Sequence, residues 1–520
     1  MDEIGALKKR IFTAFKLSGF AIRSDPCLFL ANELLSFDPE EREKWITLIT
    51  ENIQTQKLNS INVEQHHIET AINDINRVGL DSGETVFSLI NAFDVPRFEY
   101  CKQRKKFVPY TGTTEFLPTA EKKTKYLKDR YTLLFQKTIR HELFSPAIEC
   151  TTAKFKKFKL YTVETLLSTS KVTEAVVLGL LTQLTEGKFY IEDPTGAVPL
   201  DLSNARYHSG FFCEGCFVLA EGKYQDGVLQ VAGLGFPPPE PAQSSRAFFG
   251  TQNSWGGDSK NLLKYSQRLL EIERANTEAT IVFLSDVRLD NPLVMEKLKL
   301  LFLGYDDCPP IAIVLMGPFA KPDNNLYKLK QLFQDLGELA NTCDRLKKQT
   351  DLILVPAAED PAAPNILPRA PIPEALVGGL KQKWPRTKLA TNPCRLQYCT
   401  QQIAICRADL VTKLCRNTYH FPDVEHLEDH FARTLICQGH LAPVSPIVLP
   451  IFWDYDSAMS LYPLPDLVVI GDPSQPFCTT QHECTILNTG SFIKSKFSFK
   501  VYVPSTKSVE DSEIPDDMEA

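Results

Sequence analysis

The stretch Ile281 to Asn291, IVFLSDVRLDN, constrains this chain more than any other. Four apolar residues, Ile281 to Leu284, end abruptly at Ser285-Asp286, and a second carboxylate follows at Asp290. An unbroken apolar run is the pattern of a strand buried on both faces, as in a parallel sheet. In such sheets functional groups gather at the carboxyl ends of the strands. The chain is therefore expected to fold around an α/β sheet with Asp286 at its functional edge.

The surroundings fit. ATIVFLSD predicts a strand, Pro292 to Phe302 a helix, PPIAIVLMG a strand, Leu326 to Ala340 a helix and DLILVPA a strand. Later strands are predicted in LATNPCRLQYC, QQIAICRADL, PDLVVIG, ECTILNTGSF and SFKVYVP. Parallel units first and hairpin-like pairs afterwards predict a mixed sheet with helices on its faces over residues 279–505. The end, 506–520, is acidic and poor in apolar residues, which predicts a disordered tail.

At 520 residues the chain exceeds one core, and division into about two to four domains is expected. A net charge of −7 excludes a generally basic nucleic-acid binder but leaves room for a local basic face. Fourteen cysteines are scattered throughout, MDEIGALKKR lacks a secretory core, and no apolar run approaches the ~20 residues that span a bilayer. Reduced thiols in a cytosolic or nuclear protein, and no membrane contact, are expected. Cys213-x-x-Cys216 has zinc-knuckle spacing without a second pair, so structural thiols at a turn into a strand are expected there.

Residues 1–95 predict a helical module. Ile4, Leu7, Ile11 and Phe15 fall near helical spacing, with Gly19 as C-cap, a short strand over Phe20 to Arg23, and helices from Ser24 and over Pro39 to Gln54, Val63 to Val78 and Ser82 to Ala92. Residues 96–159 predict a basic linker with one helix, Ala120 to Leu134. From 97 to 159, sixteen Lys or Arg face six Asp or Glu. A phosphate-backbone or acidic-partner contact and a solvated linker are both compatible with that composition. Residues 160–240 predict about five short strands with turns at Asp193-Pro-Thr-Gly196 and Asp226-Gly227, which suits a small closed barrel of the oligonucleotide/oligosaccharide-binding (OB) type. Its aromatics Phe189, Tyr190 and Tyr224 read as packing groups rather than a base-stacking platform. Residues 241–278 predict a mobile loop and a helix, Asn261 to Arg274.

Asp286-Val-Arg288 is similar to Asp-x-His, the opening motif of the metallophosphoesterases. These enzymes hold two ions between strand ends, where the metals activate a water and clamp the phosphate. Their remaining motifs have counterparts here in order. Gly317-Pro318 stands where Gly-Asp-x-x-Asp is expected, with proline in place of the bridging carboxylate. Pro356-Ala357-Ala358-Glu359 stands for Gly-Asn-His-Asp/Glu, and Gly439-His440 for a lone His. Gly471-Asp472-Pro473-Ser474 stands for Gly-His-x-His. The resemblance implies a calcineurin-like sandwich lacking its metal ligands, with Asp286, Glu359, His440 and Asp472 surviving as polar groups. No Gly-x-Ser-x-Gly, His-Glu-x-x-His or Gly-x-Gly-x-x-Gly offers another chemistry.

The order of helical module, basic linker, OB barrel and ligand-depleted phosphoesterase domain resembles the B subunits of replicative DNA polymerases, and among them those of DNA polymerase epsilon. FKLSGF, NAFDVPRFEY, RYTLLFQKTIRHELFSP, VLGLLTQLTEGKFYIEDPTGAVPLDLS, FLSDVRLD, TNPCRLQYCTQ, GHLAP and FSFKVYVPS carry the likeness. It implies a multidomain α+β accessory subunit in the nucleus, without catalysis or cofactor of its own. The barrel and sandwich are then expected to grip the C-terminal zinc-binding region of the catalytic subunit. The N-terminal module is expected to reach the replicative helicase, and DNA to be met indirectly, through the holoenzyme. Tyr398, Arg407, Trp453, Tyr455 and Tyr462 are candidate interface residues, since Trp, Tyr and Arg dominate hot spots. Two other classes compete: a metal-dependent phosphoesterase or 3′-exonuclease, and a single-strand-binding module using the barrel.

Overall fold

The computed structural model describes residues 2–35, 39–55, 62–68, 71, 85–145, 157–250, 252–259, 262–322, 325–422 and 425–514. They form two compact units, Met1–Thr85 with Asp258–Lys260, and Val86–Gly257 with Asn261–Ala520.

In the first unit, helices Asp2–Leu17, Ser24–Leu34 and Pro39–Thr55 bury Leu7, Ile11, Phe15, Leu30, Ile46, Ile49 and Ile53 in one core. Gly19, at φ +86°, ends the first helix in the left-handed region that glycine enters without steric cost. The short strands β1 (Ala21–Ile22) and β2 (Asn62–Val63) pair in parallel. Val63 is therefore in a strand rather than at a helix start; residues 65–68 are helical. The rest of the helix predicted to Val78, apart from residue 71, lies outside the described residues.

The helix predicted over Ser82 to Ala92 is overturned. Phe87–Asn91 is strand β3, antiparallel to a strand some 300 residues away in register Asn91↔Cys394, and belongs to the second unit. Its alternation explains the result. Leu89 packs into one core and Ile90 into another, a period-two pattern that pairing with a distant strand of the same chain selects over local helix propensity.

The described part of the segment read as a basic linker, 96–145 and 157–159, is not an open linker either. Strands β4 (Phe98–Cys101) and β5 (Lys106–Pro109) form a hairpin, and a helix runs over Ala120–Arg140, well beyond Leu134. Leu134 packs with Leu178 and Phe217 of the barrel, which is why the helix continues. The loop expected to be mobile is pinned by buried Trp255, whose carbonyl accepts from Arg395 Nη1 (3.0 Å). The helix after it starts later than predicted, at Gln267–Ala275, where Ser266 Oγ caps the Leu269 amide (3.3 Å).

The barrel comprises β6 (Leu160–Tyr161), β7 (Lys171–Thr185), β8 (Lys188–Asp193), β9 (Gly196–Asp201), β10 (Arg206–Tyr207), β11 (Phe217–Gln225) and β12 (Val228–Gly235). Strands β7, β8, β9, β12 and β11 close on themselves through the β9–β12 pairing. Asp193 Oδ1 accepts from the Thr195 amide (2.7 Å) and the Gly196 amide (3.1 Å), fixing the β8–β9 turn. Asp226 and Gly227, both at positive φ, make the two-residue β11–β12 turn.

The sandwich has two six-stranded sheets. The first runs β16 (Thr387–Leu389), β15 (Asp351–Val355), β14 (Ala312–Met316), β13 (Ile281–Ser285), β22 (Ser498–Val503), β23 (Ser508–Glu513). The second runs β20 (Phe477–Gln481), β21 (Cys484–Asn488), β19 (Leu467–Ile470), β18 (Gln401–Cys406), β17 (Cys394–Tyr398), β3. Strands β13 to β16 are mutually parallel, as are β18, β19 and β21. Every residue of β13 is buried. Ile281 and Phe283 face the second sheet, while Val282 and Leu284 face the helices Pro292–Tyr305, Leu326–Leu339 and Glu374–Lys383. The outer face of the second sheet shares one core with the barrel: Ala404, Val468 and Ile470 lie in the same cluster as Val177 and Val218. Residues 508–513, expected to be disordered, form β23 and pair with β22, with Lys500 bridging to Asp511. Unsatisfied edge amides, which local composition does not reveal, recruited them.

Candidate functional site

The carboxyl ends of β13, β14, β15, β18 and β19 converge on a cleft of about 590 Å³. Its lining carries four carboxylates, Asp286, Asp290, Glu359 and Asp409, and four cations, Arg288, Lys321, Arg407 and Lys494.

Asp286 terminates β13 at φ +61°. One carboxylate oxygen accepts from Ser491 Oγ (2.5 Å), and the other faces Arg288 Nε at 3.4 Å. Asp286 thus fastens the β13 end to the segment after β21 and holds Arg288 beside itself. Asp290 Oδ2 accepts from the Lys321 amide (3.3 Å), joining the loops after β13 and β14.

Gly317 and Pro318, joined by a cis peptide, follow β14. A Cβ on Gly317 would stand 2.1 Å from Asp360 Oδ2, so only glycine fits. Asp360 accepts from the Phe319 amide (2.8 Å) and the Ala357 amide (2.7 Å), tying together the ends of β14 and β15. Burial raises this carboxyl to about 6. Ala357 is buried, the Ala358 carbonyl accepts from Arg369 Nη1 (3.2 Å), and Glu359 lines the cleft.

Arg407 follows β18 and crosses from the second sheet to the first. Its Nε donates to the Gly317 carbonyl (2.6 Å) and its Nη1 to the Gly471 carbonyl (2.7 Å) and to Asp409 Oδ1 (3.0 Å). Asn392 fixes its backbone from both sides, donating to the Arg407 carbonyl (2.6 Å) and accepting from its amide (2.9 Å). A Cβ on Gly471 would lie 2.8 Å from Arg407 Cδ, so glycine there admits the arginine stem. The guanidinium occupies the floor between the two rows of strand ends.

Asp472 turns away from the cleft. It is fully buried, accepts from the Val411 amide (2.9 Å) at the start of helix Leu410–Asn417 and from the Ser474 amide (2.9 Å), and is shifted upward by burial. Ser474 Oγ in turn accepts from Asn488 Nδ2 (3.1 Å). His440 is elsewhere. Gly439 caps helix Leu427–Gln438, and the next residue enters a separate cavity of about 220 Å³ lined by Arg97, Asp129, Arg130, Asp454 and Asp456. There His440 Nε2 lies 3.1 Å from Asp456 Oδ1, and burial holds the imidazole below its ordinary range. The expected placement of His440 with Asp286 is corrected accordingly. Among the described residues no group of three or more His, Cys, Asp or Glu is placed to hold a metal ion.

Three candidate interface residues are interior. Tyr398 is 1% exposed between the sheets, Arg407 is 5% exposed in the cleft floor, and the Tyr462 hydroxyl donates to Glu240 Oε2 (2.7 Å) under the β4–β5 hairpin. Their side chains are committed within the chain and present no surface to a partner. Trp453 and Tyr455 are half-buried, with Lys123 over the Trp453 ring and Tyr455 against Phe93 and Phe116. Cys213 and Cys216 are buried, and their thiols donate to the Leu414 and Pro443 carbonyls. The sequence reading missed Asp360 and Asp409, and it gave Arg407 the wrong role. Arg407 carried a usable signal: like Asp286, it is a charged residue directly after an apolar strand.

Three family models match: that of the DNA polymerase alpha/epsilon B subunit over residues 281–479, the "DNA polymerase epsilon subunit 2-like, OB-fold domain" over 120–238 and "DNA polymerases epsilon N terminal" over 3–75. Among curated relatives, DNA polymerase epsilon subunit 2 of Drosophila melanogaster is 63% identical, covering 99% of each chain. The Homo sapiens protein of that name is 43% identical, covering 98% of each. A solved archaeal phosphodiesterase structure overlaps 45% of this chain and 98% of its own, at 11% identity and a TM-score of 0.26. The match to the two curated relatives is nearly full-length and spans helical module, OB barrel and sandwich alike. It leaves one conclusion: the chain belongs to the family of DNA polymerase epsilon B subunits, accessory subunits of a replicative DNA polymerase.

Proposed function

We propose that the chain serves DNA polymerase epsilon as a non-catalytic scaffold, and that its phosphoesterase-like cleft has no hydrolytic activity. One observation carries the reading. The Arg407 guanidinium lies between the strand ends, bonded to the Gly317 and Gly471 carbonyls, where a pair of ions would need anionic and imidazole ligands. A fixed positive charge there repels a divalent ion, and Arg288, Pro318, Ala357, Ala358, Asp472 and Ser474 supply no ligand set around it. Asp286, at the end of β13, is engaged by Ser491 and Arg288.

The barrel and second sheet share one core, which gives a rigid surface for an obligate partner. Obligate interfaces often bury ~2,000 Å² or more. The proposed partner is the C-terminal zinc-binding region of the catalytic subunit. The helical unit is the proposed link to the replicative helicase, and the nucleus is the proposed location.

Two measurements test this. Purified chain should carry substoichiometric Mn, Fe and Zn and no phosphodiesterase activity. A stoichiometric metal, with activity abolished by Asp286→Ala, would overturn the non-catalytic reading. Affinity capture should recover the catalytic subunit's C-terminal region on the chain with or without residues 1–85, whereas helicase should require them. Helicase recovery without residues 1–85 would reject that assignment.

A further inference from the structure

The β4–β5 hairpin presents charge that the fold does not use. The register Cys101↔Lys106 leaves a turn over 102–105, with Lys105 at φ +50°. Lys102, Arg104, Lys105 and Lys106 are all exposed. No Asp or Glu occurs from Tyr100 to Thr114. None of the four cations pairs with a carboxylate among the described residues.

Their neighbours behave differently. Arg97 reaches Asp129 (3.1 Å) and Asp454 (3.0 Å), Lys122 reaches Asp454 (2.7 Å), Lys125 reaches Glu99 (2.5 Å), and Arg140 reaches Glu240 (2.7 Å). An inner set of cations thus ties the helix and the hairpin to each other and to their surroundings, while the four at the hairpin tip stay outside it. Folding accounts for the first and leaves the second unexplained.

The tip is firmly mounted. Phe107 stacks on Phe249 with centroids 4.8 Å apart, Phe98 meets Phe249 edge-on at 5.1 Å, and the Phe107 amide donates to the Phe248 carbonyl (2.9 Å). A braced hairpin loses little backbone freedom when its cations meet a fixed array of negative charge, so the ordering cost is confined to the side chains. In a chain whose net charge is −7, so local a concentration favours one kind of partner.

We infer that the hairpin tip, through Lys102, Arg104, Lys105 and Lys106, contacts the phosphodiester backbone of DNA directly and without sequence preference. This goes beyond indirect contact through the holoenzyme, and it does not depend on the cleft being inactive. Each phosphate neutralised on duplex DNA adds about 0.9 to the slope of log affinity against log salt, and about 0.7 on a single strand.

The test uses the full chain and fluorescent duplex and single-stranded oligonucleotides, titrated over a range of salt. Replacing all four residues by Ala should weaken binding about tenfold or more at low salt and flatten the slope by roughly 2 to 4. The arm that loses affinity identifies the form of DNA contacted. Lys→Arg at 102, 105 and 106 keeps the charge and should bind as the parent does. Unchanged affinity and slope on both arms in the Ala variant would overturn the inference. So would loss in the charge-keeping variant, or intact DNA binding together with lost binding of polyglutamate, which would assign the tip to an acidic protein.

Discussion

Arg407 decides how the cleft is read. A guanidinium presents its donors in a fixed planar fork, so a single side chain can hold carbonyls from two sheets at once. Arg407→Met should lower stability by about 3 kcal/mol, because each buried carbonyl left without a donor costs roughly 1–3 kcal/mol. A drop in melting temperature would show it, and Arg407→Lys should recover only part, since an ammonium lacks the fork. A variant that melts with the parent would mean that water replaces the arginine without loss. The residues at the other strand ends were legible because their signal is local: an apolar run, a break, a polar group. The role of Arg407 was not, because it depends on where Gly317 and Gly471 arrive from distant parts of the chain. His440 failed for the same reason. Gly-His at a helix end says nothing about which cavity the ring will enter.

Elements were predicted best where one chain segment contained its own reasons. The buried strands β13, β14 and β15 fall at the expected places because continuous apolar runs have few alternatives. Strands β3 and β23 were missed because their partners, β17 and β22, satisfy amides that their own composition leaves open. Helix Ala120–Arg140 illustrates both cases, since its amphipathic start was visible and its last turn depends on the barrel. That turn carries Lys137 into the interior, where Nζ donates to the Cys437 carbonyl (2.5 Å). Burial pushes this ammonium down to about 8. Between about pH 8 and about pH 10.4 the unfolded chain therefore binds more protons at this site than the folded one, and stability rises with pH across that window. The desolvation cost, roughly 3 kcal/mol, is fully present below about pH 8. Lys137→Met lacks this titration. Melting curves at about pH 7.5 and about pH 10 should show the parent gaining on the variant as pH rises, and a constant difference would refute the shift.

At the scale of the molecule, barrel and sandwich behave as one body. Gln438, at the end of helix Leu427–Gln438, accepts from the Phe217 amide (2.8 Å) and donates to the Phe217 carbonyl (2.7 Å), clasping the first residue of β11. With one apolar cluster on both sides of that clasp, residues 86–514 should unfold in a single transition. Gln438→Ala leaves two buried backbone groups unpaired and should shift that transition down, by roughly 2–4 kcal/mol, without splitting it. Two separate calorimetric transitions would show the cores to be independent. This unity bears on the arginine between the sheets and, on the reading proposed above, on the history of the cleft. If the cleft once held ions, an Arg407 that joins the two sheets, the second of which also carries the barrel on its outer face, would make that change hard to reverse. On that reading, Arg288→His and Pro318→Asp would place ligands around a charge that repels the ion, and removing the arginine first would weaken the body proposed to bind the partner. Descent from an enzyme to an accessory subunit would then be a ratchet, held in place by one guanidinium.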